Sequence, residues 1–377
     1  MTTRRIPAVL MRGGASRGLF FHANDLPVAP RARDAVLLRA VGAPDPSGRR
    51  VDGAGGGGDR VVVVSRSAVA GCDIEFLCGA VAADAALIDW SGPCGALAAA
   101  VASFSIGERL YPAADGVAQV RMRHIPEGAR IDAFVPVRAG DVTEDGDFVE
   151  DGVPFAASEV RLELIEPSET PFPSGSVRDT LEVTGIGPLE ATIVSVGVPT
   201  VFVRADALGL NGRESPADPE RARRGLERLE AVRLQAAAQL GVGRGASAAG
   251  LRVCWVARPA GYRSTRGADV PADAIDLLAR FTGVAGPTGG EPGDPGDGAI
   301  AVAVAAAVPG TIVAEVARTL PGVATRIGHA GGTLAIGAEV SQLELSGGRR
   351  RWRVDRCVLS RSARRLMAGV VHVPRAG

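Results

Sequence analysis

The 377-residue sequence contains no lysine, so arginine carries every fixed positive side-chain charge. Basic and acidic residues balance to a formal net charge of +0, which gives no reason to expect nucleic acid or an acidic membrane surface as a partner. Aromatic residues make up only 4% of the chain, which argues against modules that stack bases on aromatic rings.

Long apolar runs and clustered cysteines are also scarce. No segment offers the roughly 20 apolar residues that a membrane helix needs, and no apolar run follows the N-terminus as in a signal peptide. Five cysteines, an odd number at scattered spacings, predict reduced thiols and a cytoplasmic protein. Cys72 and Cys78 lack zinc-site spacing, and no flavin or pyridoxal motif is found, so we expect neither a metal nor a cofactor.

What is abundant is apolar residues, at 46% of the chain with a mean hydropathy of +0.16, enough for sizeable cores. Each half of the sequence combines many strand-like segments with one Ala/Val-rich helix that begins at a Gly-containing polar turn. This weak internal repeat predicts two similar domains, 1–187 and 188–377, that face each other with a ligand between the two helix starts.

Hydrophobic periodicity and turn residues predict the individual elements. Helices are expected over 34–41, 94–106, 219–240, 271–281 and 299–308. Strands are expected at 6–10, 18–22, 61–65, 74–81, 117–123, 131–137, 161–165, 191–203, 252–257, 312–317, 333–339 and 352–358. Two glycine-rich stretches, 53–58 and 283–298, are expected to be loops.

The most informative stretch is Asp89-Trp90-Ser91-Gly92-Pro93-Cys94-Gly95-Ala96-Leu97, a polar turn that leads into an alanine-rich apolar segment. In a helix over that segment, Cys94 lies in the first turn, where free N–H groups and the helix dipole stabilise a thiolate and attract a carboxylate. This position suits Cys94 for proton transfer, with Ser91 and the Gly95 N–H as candidate substrate-binding groups. The alternative is a buried structural cysteine at the start of a core helix.

A second motif is Met11-Arg12-Gly13-Gly14-Ala15-Ser16-Arg17-Gly18-Leu19-Phe20-Phe21, a glycine turn between two apolar runs. Ser16 and Arg17 beside paired glycines offer a hydroxyl and a guanidinium to a substrate carboxylate. The alternative is a plain hairpin turn.

A third motif is Val51-Asp52-Gly53-Ala54-Gly55-Gly56-Gly57-Gly58-Asp59-Arg60-Val61-Val62, a glycine run that ends just before a valine-rich strand. Its position predicts Arg60 at the mouth of that strand. The alternative is that Arg60 pairs with Asp59 or Asp52 on the surface.

Taken in this order, the three motifs resemble the PrpF family of 2-methylaconitate cis–trans isomerases, which includes methylitaconate Δ-isomerases and oxalomesaconate tautomerases. Other stretches that fit are Val196-Gly197-Val198-Pro199-Thr200-Val201-Phe202-Val203, Ala305-Ala306-Ala307-Val308-Pro309-Gly310-Thr311-Ile312-Val313, Arg326-Ile327-Gly328-His329 and Ala363-Arg364-Arg365-Leu366-Met367. The resemblance covers essentially the whole chain. It implies the α+β fold of diaminopimelate epimerase, in which two pseudo-symmetric β-rich domains each wrap around a central helix and the catalytic cleft lies between them.

The resemblance also implies a cofactor-independent isomerase that moves a proton on a small unsaturated carboxylic acid such as 2-methylaconitate. The catalytic groups it implies are Cys94 and, at the position of the family's lysine, Arg60. His329 and Gly331 are implied as substrate-binding residues, while a homodimer is left open. Because a guanidinium is a poor proton shuttle but a good carboxylate clamp, we expect one-base chemistry by Cys94 with Arg60 as its electrostatic partner.

Several positions depart from the family pattern. Its Asn-Cys-Gly-Asn turn is Pro93-Cys94-Gly95-Ala96 here, its Gly-Asn-Pro is Gly197-Val198-Pro199, and its His-Pro-Ser-Gly is His329-Ala330-Gly331-Gly332. These departures leave open a non-catalytic family member that binds an acid or assists a partner protein. A racemase or epimerase is less favoured, because it needs a second cysteine near Gly298 and the sequence has none there.

Overall fold

A computed structural model describes residues 3–374 apart from 46, 48–49, 51, 55–59, 83–84, 93, 215–218, 242–250, 283–297, 321, 347 and 349, with only the backbone of 219–224. The chain forms two compact units, Met1–Ile165 with Ser360–Gly377, and Glu166–Leu359. This division differs from the expected one at 187/188. The last strand of the chain pairs with the first, from Arg4 opposite Val373 to Gly13 opposite Ala363, so the C-terminal segment belongs to the first unit.

Within the described residues, the first unit contains two α-helices, α1 (Pro30–Val41) and α2 (Leu97–Gly107). Its strands are β1 (Arg4–Gly13), β2 (Ser16–His22), β3 (Arg60–Arg66), β4 (Ile74–Val81), β5 (Ile88–Asp89), β6 (Gly116–His124), β7 (Arg130–Arg138), β8 (Asp141–Val142), most of β9 (Glu159–Ser168) and the second half of β19 (Arg350–Val373).

The second unit contains three helices within the described residues, α3 (Pro219–Gln239), α4 (Gly298–Ala307) and α5 (Ile312–Val316). Its strands are β10 (Asp179–Val183), β11 (Gly187–Val194), β12 (Thr200–Arg204), β13 (Arg252–Ala257), β14 (Tyr262–Arg263), β15 (Asp269–Val270), β16 (Leu277–Phe281), β17 (Thr325–His329), β18 (Gly332–Glu344) and the first half of β19. None of the described helices has the length and apolar character needed to span a membrane.

Strand pairing in the first unit closes on itself around α2. The hydrogen-bonded order runs from β1 through β2, β3, β4, β6, β7 and β9 to β19, which pairs again with β1. Helix α2 is buried along its length, from Leu97 to Ile106. A helix that is apolar on every face lies inside a core, so α2 is the central helix of this unit.

Both units repeat one order of pairings. In the first, β1 to β2, β2 to β3, β3 to β4, β4 to β6 and β6 to β7 alternate between antiparallel and parallel. In the second, β11, β12, β13, β16, β17 and β18 repeat that alternation. The buried helix α4 precedes β17 as α2 precedes β6. The predicted α+β fold of two pseudo-symmetric, β-rich domains around central helices is thus confirmed.

Strand register defines equivalent positions in the two units. Val62 pairs with both Phe20 and Cys78 in the first unit, as Cys254 pairs with both Phe202 and Phe281 in the second. This register makes Phe281 the equivalent of Cys78. Two residues earlier on the middle strand, Arg252 is the equivalent of Arg60.

Three element predictions are wrong. The expected helix 271–281 ends in strand β16, whose residues are all buried, and an apolar run of that kind does not distinguish strand from helix. The expected strand 312–317 is helix α5, capped by the Thr311 hydroxyl, which accepts from the Ala314 N–H at 3.0 Å. The expected strand 191–203 is two antiparallel strands, β11 and β12. The predicted loops 53–58 and 283–298 fall mostly outside the described residues.

Candidate active site

The sequence predicted Cys94 in the first turn of the central helix. In the structure Cys94 lies just before helix α2, which begins at Leu97. The α-helical run begins at Leu97, because Gly95 adopts a left-handed conformation with φ of +58°. The Leu97 N–H donates to the Cys94 carbonyl at 3.3 Å, and the Ala98 N–H donates to the Gly95 carbonyl at 3.1 Å. The N-cap residue Ala96 provides no side-chain cap. Cys94 therefore sits at the positive end of the central helix, in a tight turn.

The turn before Cys94 is held against strand β4 and helix α1. The Trp90 indole N–H donates to the Asp34 carboxylate at 3.2 Å. A Cβ at Gly79 would lie 2.3 Å from the Ile88 side chain and 2.8 Å from the Trp90 ring, so only glycine allows this approach. Ser91, predicted to bind substrate, is exposed and donates its hydroxyl to Asp89 at 2.6 Å. Its only donor hydrogen is thus engaged within the turn.

The side chain next to Cys94 is Cys78, on the adjacent strand β4. The two thiols are hydrogen-bonded to each other. Cys78 is 0% exposed and Cys94 is 5% exposed, so both sulfur atoms are shielded from bulk water. Arg60 Nη1 lies 4.0 Å from the Cys78 Sγ. A guanidinium and two thiols therefore meet at the start of α2.

This environment favours a thiolate. The hydrogen bond with Cys94 lowers the pKa of Cys78 from 9.0 to about 7, against the opposing effect of burial, and the charge of Arg60 contributes in the same direction. His124, at the end of β6, adds a smaller electrostatic effect in that direction. Since the thiols are in contact, the first ionisation belongs to the pair and not to one sulfur.

The hairpin that carries Ser16 and Arg17 contacts the start of α2. A Cβ on Gly13 would lie 2.6 Å from the Ala96 carbonyl oxygen, and one on Gly14 would lie 2.7 Å from the Ala96 side chain. The Gly14 N–H donates to the Ser362 carbonyl at 2.8 Å. The structure thus places this hairpin against the turn of Cys94, with Ser16 partly buried and Arg17 exposed.

A buried polar cluster also holds the hairpin in place. The sequence did not predict this cluster. Glu150 accepts from the Ser362 N–H and hydroxyl, both at 2.8 Å, and lies 3.5 Å from the Arg361 guanidinium. Arg12 Nη1 donates to the Gly14 carbonyl at 3.0 Å. These contacts hold the backbone of the glycine turn without engaging Ser16.

His329 and Gly331, predicted to bind substrate, lie in the second unit. His329 is 8% exposed, and its Nδ1 accepts from the Gly331 N–H at 3.2 Å. Counted along the register of β16 and β17, His329 is the equivalent of His124. Arg280 approaches the same turn and donates to the Gly328 carbonyl at 2.9 Å.

The structure thus brings together part of the predicted set. Cys94, Gly95 and Arg60 gather at the start of α2, and the Ser16 hairpin contacts it. The sequence did not predict Cys78 as part of this site, since Cys78 was considered there only as a zinc ligand and that role was rejected. The available signal was the alternation along β4, which places Cys78 on the same buried face as Phe76. Among the described residues, no group of three or more His, Cys, Asp or Glu side chains is placed to hold a metal ion.

Solved structures resemble this fold over nearly the entire chain. A hydroxyproline epimerase from Agrobacterium vitis, 15% identical, superposes with a TM-score of 0.54 over 98% of this chain and 93% of its own. A methylitaconate-delta-isomerase, 28% identical, superposes with a TM-score of 0.81 over 99% of this chain and 96% of its own. The fold is therefore that of the epimerase-like isomerases.

Sequence comparison narrows this class to one family. The profile described as PrpF protein matches residues 3–374, and the chain belongs to the PrpF family. The 2-methyl-aconitate isomerase of Shewanella oneidensis is 39% identical over 394 residues, which cover 98% of this chain and 97% of the relative. The family predicted from the three sequence motifs is thereby confirmed.

Proposed function

We propose that this protein catalyses a proton-transfer isomerisation, cis–trans or allylic, of a small unsaturated carboxylic acid such as 2-methylaconitate. The observation that carries the proposal is the meeting of Cys94, Cys78 and Arg60 at the start of the central helix. The similarity to a 2-methyl-aconitate isomerase and to a methylitaconate-delta-isomerase supports the substrate class.

In this proposal Cys94, as a thiolate, removes a proton from the carbon next to the double bond of the substrate. The charge then spreads over a dienolate and its carboxylate, where fixed positive groups stabilise it. Return of the proton to another carbon, or to the same carbon after rotation, gives the isomer. Arg60 remains a cation throughout, because a guanidinium does not lose its proton in proteins.

The substrate-binding roles follow from position. Ser16 and the Gly95 N–H are proposed to bind a substrate carboxylate beside Cys94, and Arg17 to attract it from its exposed place on the hairpin. Ser91 is proposed only as an acceptor, since its hydroxyl hydrogen is donated to Asp89. The roles of His329 and Gly331 remain predictions of the sequence motif.

The test is deuterium uptake from heavy water into 2-methylaconitate, followed by NMR together with isomer formation. We expect Cys94→Ser to abolish both while keeping the fold, because a serine hydroxyl is far less acidic than a thiol. The matched control is Cys72→Ser, which changes a partly exposed thiol of the same unit. Undiminished exchange in Cys94→Ser removes Cys94 from the mechanism.

A non-catalytic, acid-binding role is the second candidate, and one observation favours it. Arg60 stands where the family pattern has a lysine, which removes a proton-active cation from the site. In that case the wild-type protein binds 2-methylaconitate in calorimetry but exchanges no deuterium.

We further propose a cytoplasmic location, supported by the free state of all five cysteines.

A further inference from the structure

We propose that Cys78 is a positioning residue whose buried thiol shares a single proton with Cys94, so that the pair of sulfur atoms carries one negative charge in the resting protein. The inference rests on the proposed role of Cys94 as the base and deepens it. In this site, which has no lysine, the thiolate is stabilised by the second thiol and by the arginine beside the pair.

The sheet directs Cys78 to the same face as Arg60. Val62 pairs with Cys78, and Arg60 lies two residues before Val62, so the three side chains lie on one side of β3 and β4. That side faces the start of α2, where a Cβ on Gly18, the neighbour of Arg60 in β2, would lie 3.3 Å from Leu97. Cys78 and Arg60 therefore approach the Cys94 turn together.

The fold does not require a thiol at this position. Phe281, its equivalent in the second unit, lies against the start of α4, where a Cβ on Gly298 would lie 2.8 Å from its ring. An apolar side chain thus suffices for packing a strand against the start of a central helix. The arginine is repeated, since Arg252 is the equivalent of Arg60, but the thiol is present only where Cys94 lies beside it. This difference points to a chemical role for Cys78.

The proton count is simple. The resting pair holds one proton between two sulfur atoms and carries one negative charge. When Cys94 takes a proton from the substrate, the pair becomes two neutral thiols. When Cys94 returns that proton, the remaining one is again shared between the two sulfur atoms. Nothing is oxidised or reduced, and Cys78 never needs to reach the substrate.

Among the described residues, three charged or ionisable side chains act on Cys78. Arg60 faces it from β3, Cys94 from the turn before α2 and His124 from the end of β6. The hydroxyls of Ser103 and Ser105, further along helix α2, donate to carbonyls of their own helix at 3.1 and 2.7 Å. The fixed charge of Arg60 is thus the largest electrostatic influence on the ionisation of the pair.

The experiment compares Cys78→Val, which places a somewhat larger apolar side chain at the site and loses the donor, with Cys78→Ser, which keeps a donor that does not ionise. The readout is the rate at which iodoacetamide alkylates Cys94 between about pH 6 and 10, resolved by peptide mass spectrometry. Loss of the donor is expected to move the Cys94 profile up by about one pH unit and to slow alkylation at pH 7 several-fold, up to about tenfold. Cys78→Ser is expected to restore most of the wild-type profile.

The control is Cys357→Val, which changes another fully buried strand thiol outside the site. If the role of Cys78 is purely structural, Cys78→Val lowers the melting temperature without moving the pH profile of Cys94 alkylation, and that result overturns the proposal. The proposal is also overturned if Cys78→Ser shifts this profile as far as Cys78→Val does. Cys78→Ala replaces the valine variant should valine not fold. Because alkylation needs no substrate, failure of the proposed isomerisation is detected separately, by deuterium exchange in Cys94→Ser.

Discussion

Replacing Arg60 with glutamine tests the electrostatics of the site most directly. The substitution removes a fixed charge whose Nη1 lies 4.0 Å from the Cys78 Sγ and leaves a shorter, uncharged polar side chain. An opposite charge at about 4–6 Å shifts a pKa by roughly 1–3 units. Arg60 is partly exposed, so solvent screening places its effect at the lower end of that range, about 1–2 units.

The expected change follows from the starting point. With a pKa of about 7 for Cys78 in the coupled pair, about half of the pairs are ionised at pH 7. Raising that pKa by about 1–2 units leaves roughly one tenth to one hundredth ionised. Alkylation of Cys94 by iodoacetamide at pH 7 is then expected to slow by about five- to fiftyfold, and the KM for a carboxylate substrate should rise.

The assay carries its own reference. Site-resolved mass spectrometry also follows Cys72, which is partly exposed and outside the site, so its rate should not change. Arg66→Gln, at the other end of β3, is the matched control, since that exposed side chain donates to the Arg109 carbonyl. Arg60→Lys should keep the thiolate and most of the substrate binding. If Arg60→Gln changes neither Cys94 alkylation nor ligand affinity, Arg60 is not part of the site.

Two further predictions concern stability. Gly13→Ala should lower the free energy of unfolding, measured in urea, by about 1–3 kcal/mol, because its Cβ would lie 2.6 Å from the Ala96 carbonyl oxygen. The control is Gly92→Ala, since a Cβ at Gly92 would meet nothing within 4 Å. Equal stability of the two variants contradicts the contact. Asp73→Asn should cost about 1 kcal/mol at pH 7, because hydrogen bonds from Arg121 lower the pKa of Asp73. Because the pKa of Asp73 is lowered from 3.8 in the folded protein, its contribution to stability is complete above that value and is lost as the pH falls through the lowered pKa. The difference in stability from wild type should therefore shrink steadily on acidification below pH 3.8, and a difference that does not shrink refutes the prediction.

The fold was predictable because its signals are local and repeated. Each central helix is an Ala/Val-rich run bounded by glycine turns, and the family motifs fixed the order of domains. The failures also have physical causes. The segment 277–281 is buried on both faces, which removes the alternation that marks a strand. The unit boundary at 165/166 depends on the pairing of β19 with β1, across the length of the chain.

The site was predicted only in part for a similar reason. Cys94 and Arg60 belong to motifs that are visible in the sequence, whereas Cys78 depends on the register between β3 and β4. A one-residue slip of that register would turn its thiol to the opposite face of the sheet. The Glu150–Arg361 contact likewise joins residues distant in sequence, so no local pattern announces it.

The path of β19 has a consequence for synthesis. When the first 165 residues have left the ribosome, β1 and β9 lack the strand segment that pairs with both of them. Two exposed edges then persist while the remaining chain is made, and unpaired edges are the usual starting points of aggregation. Loss of residues 367–373, which pair with residues 4–10 of β1, should therefore harm the yield of folded protein more than their mostly exposed side chains suggest, because the N-terminal unit completes its sheet only with them.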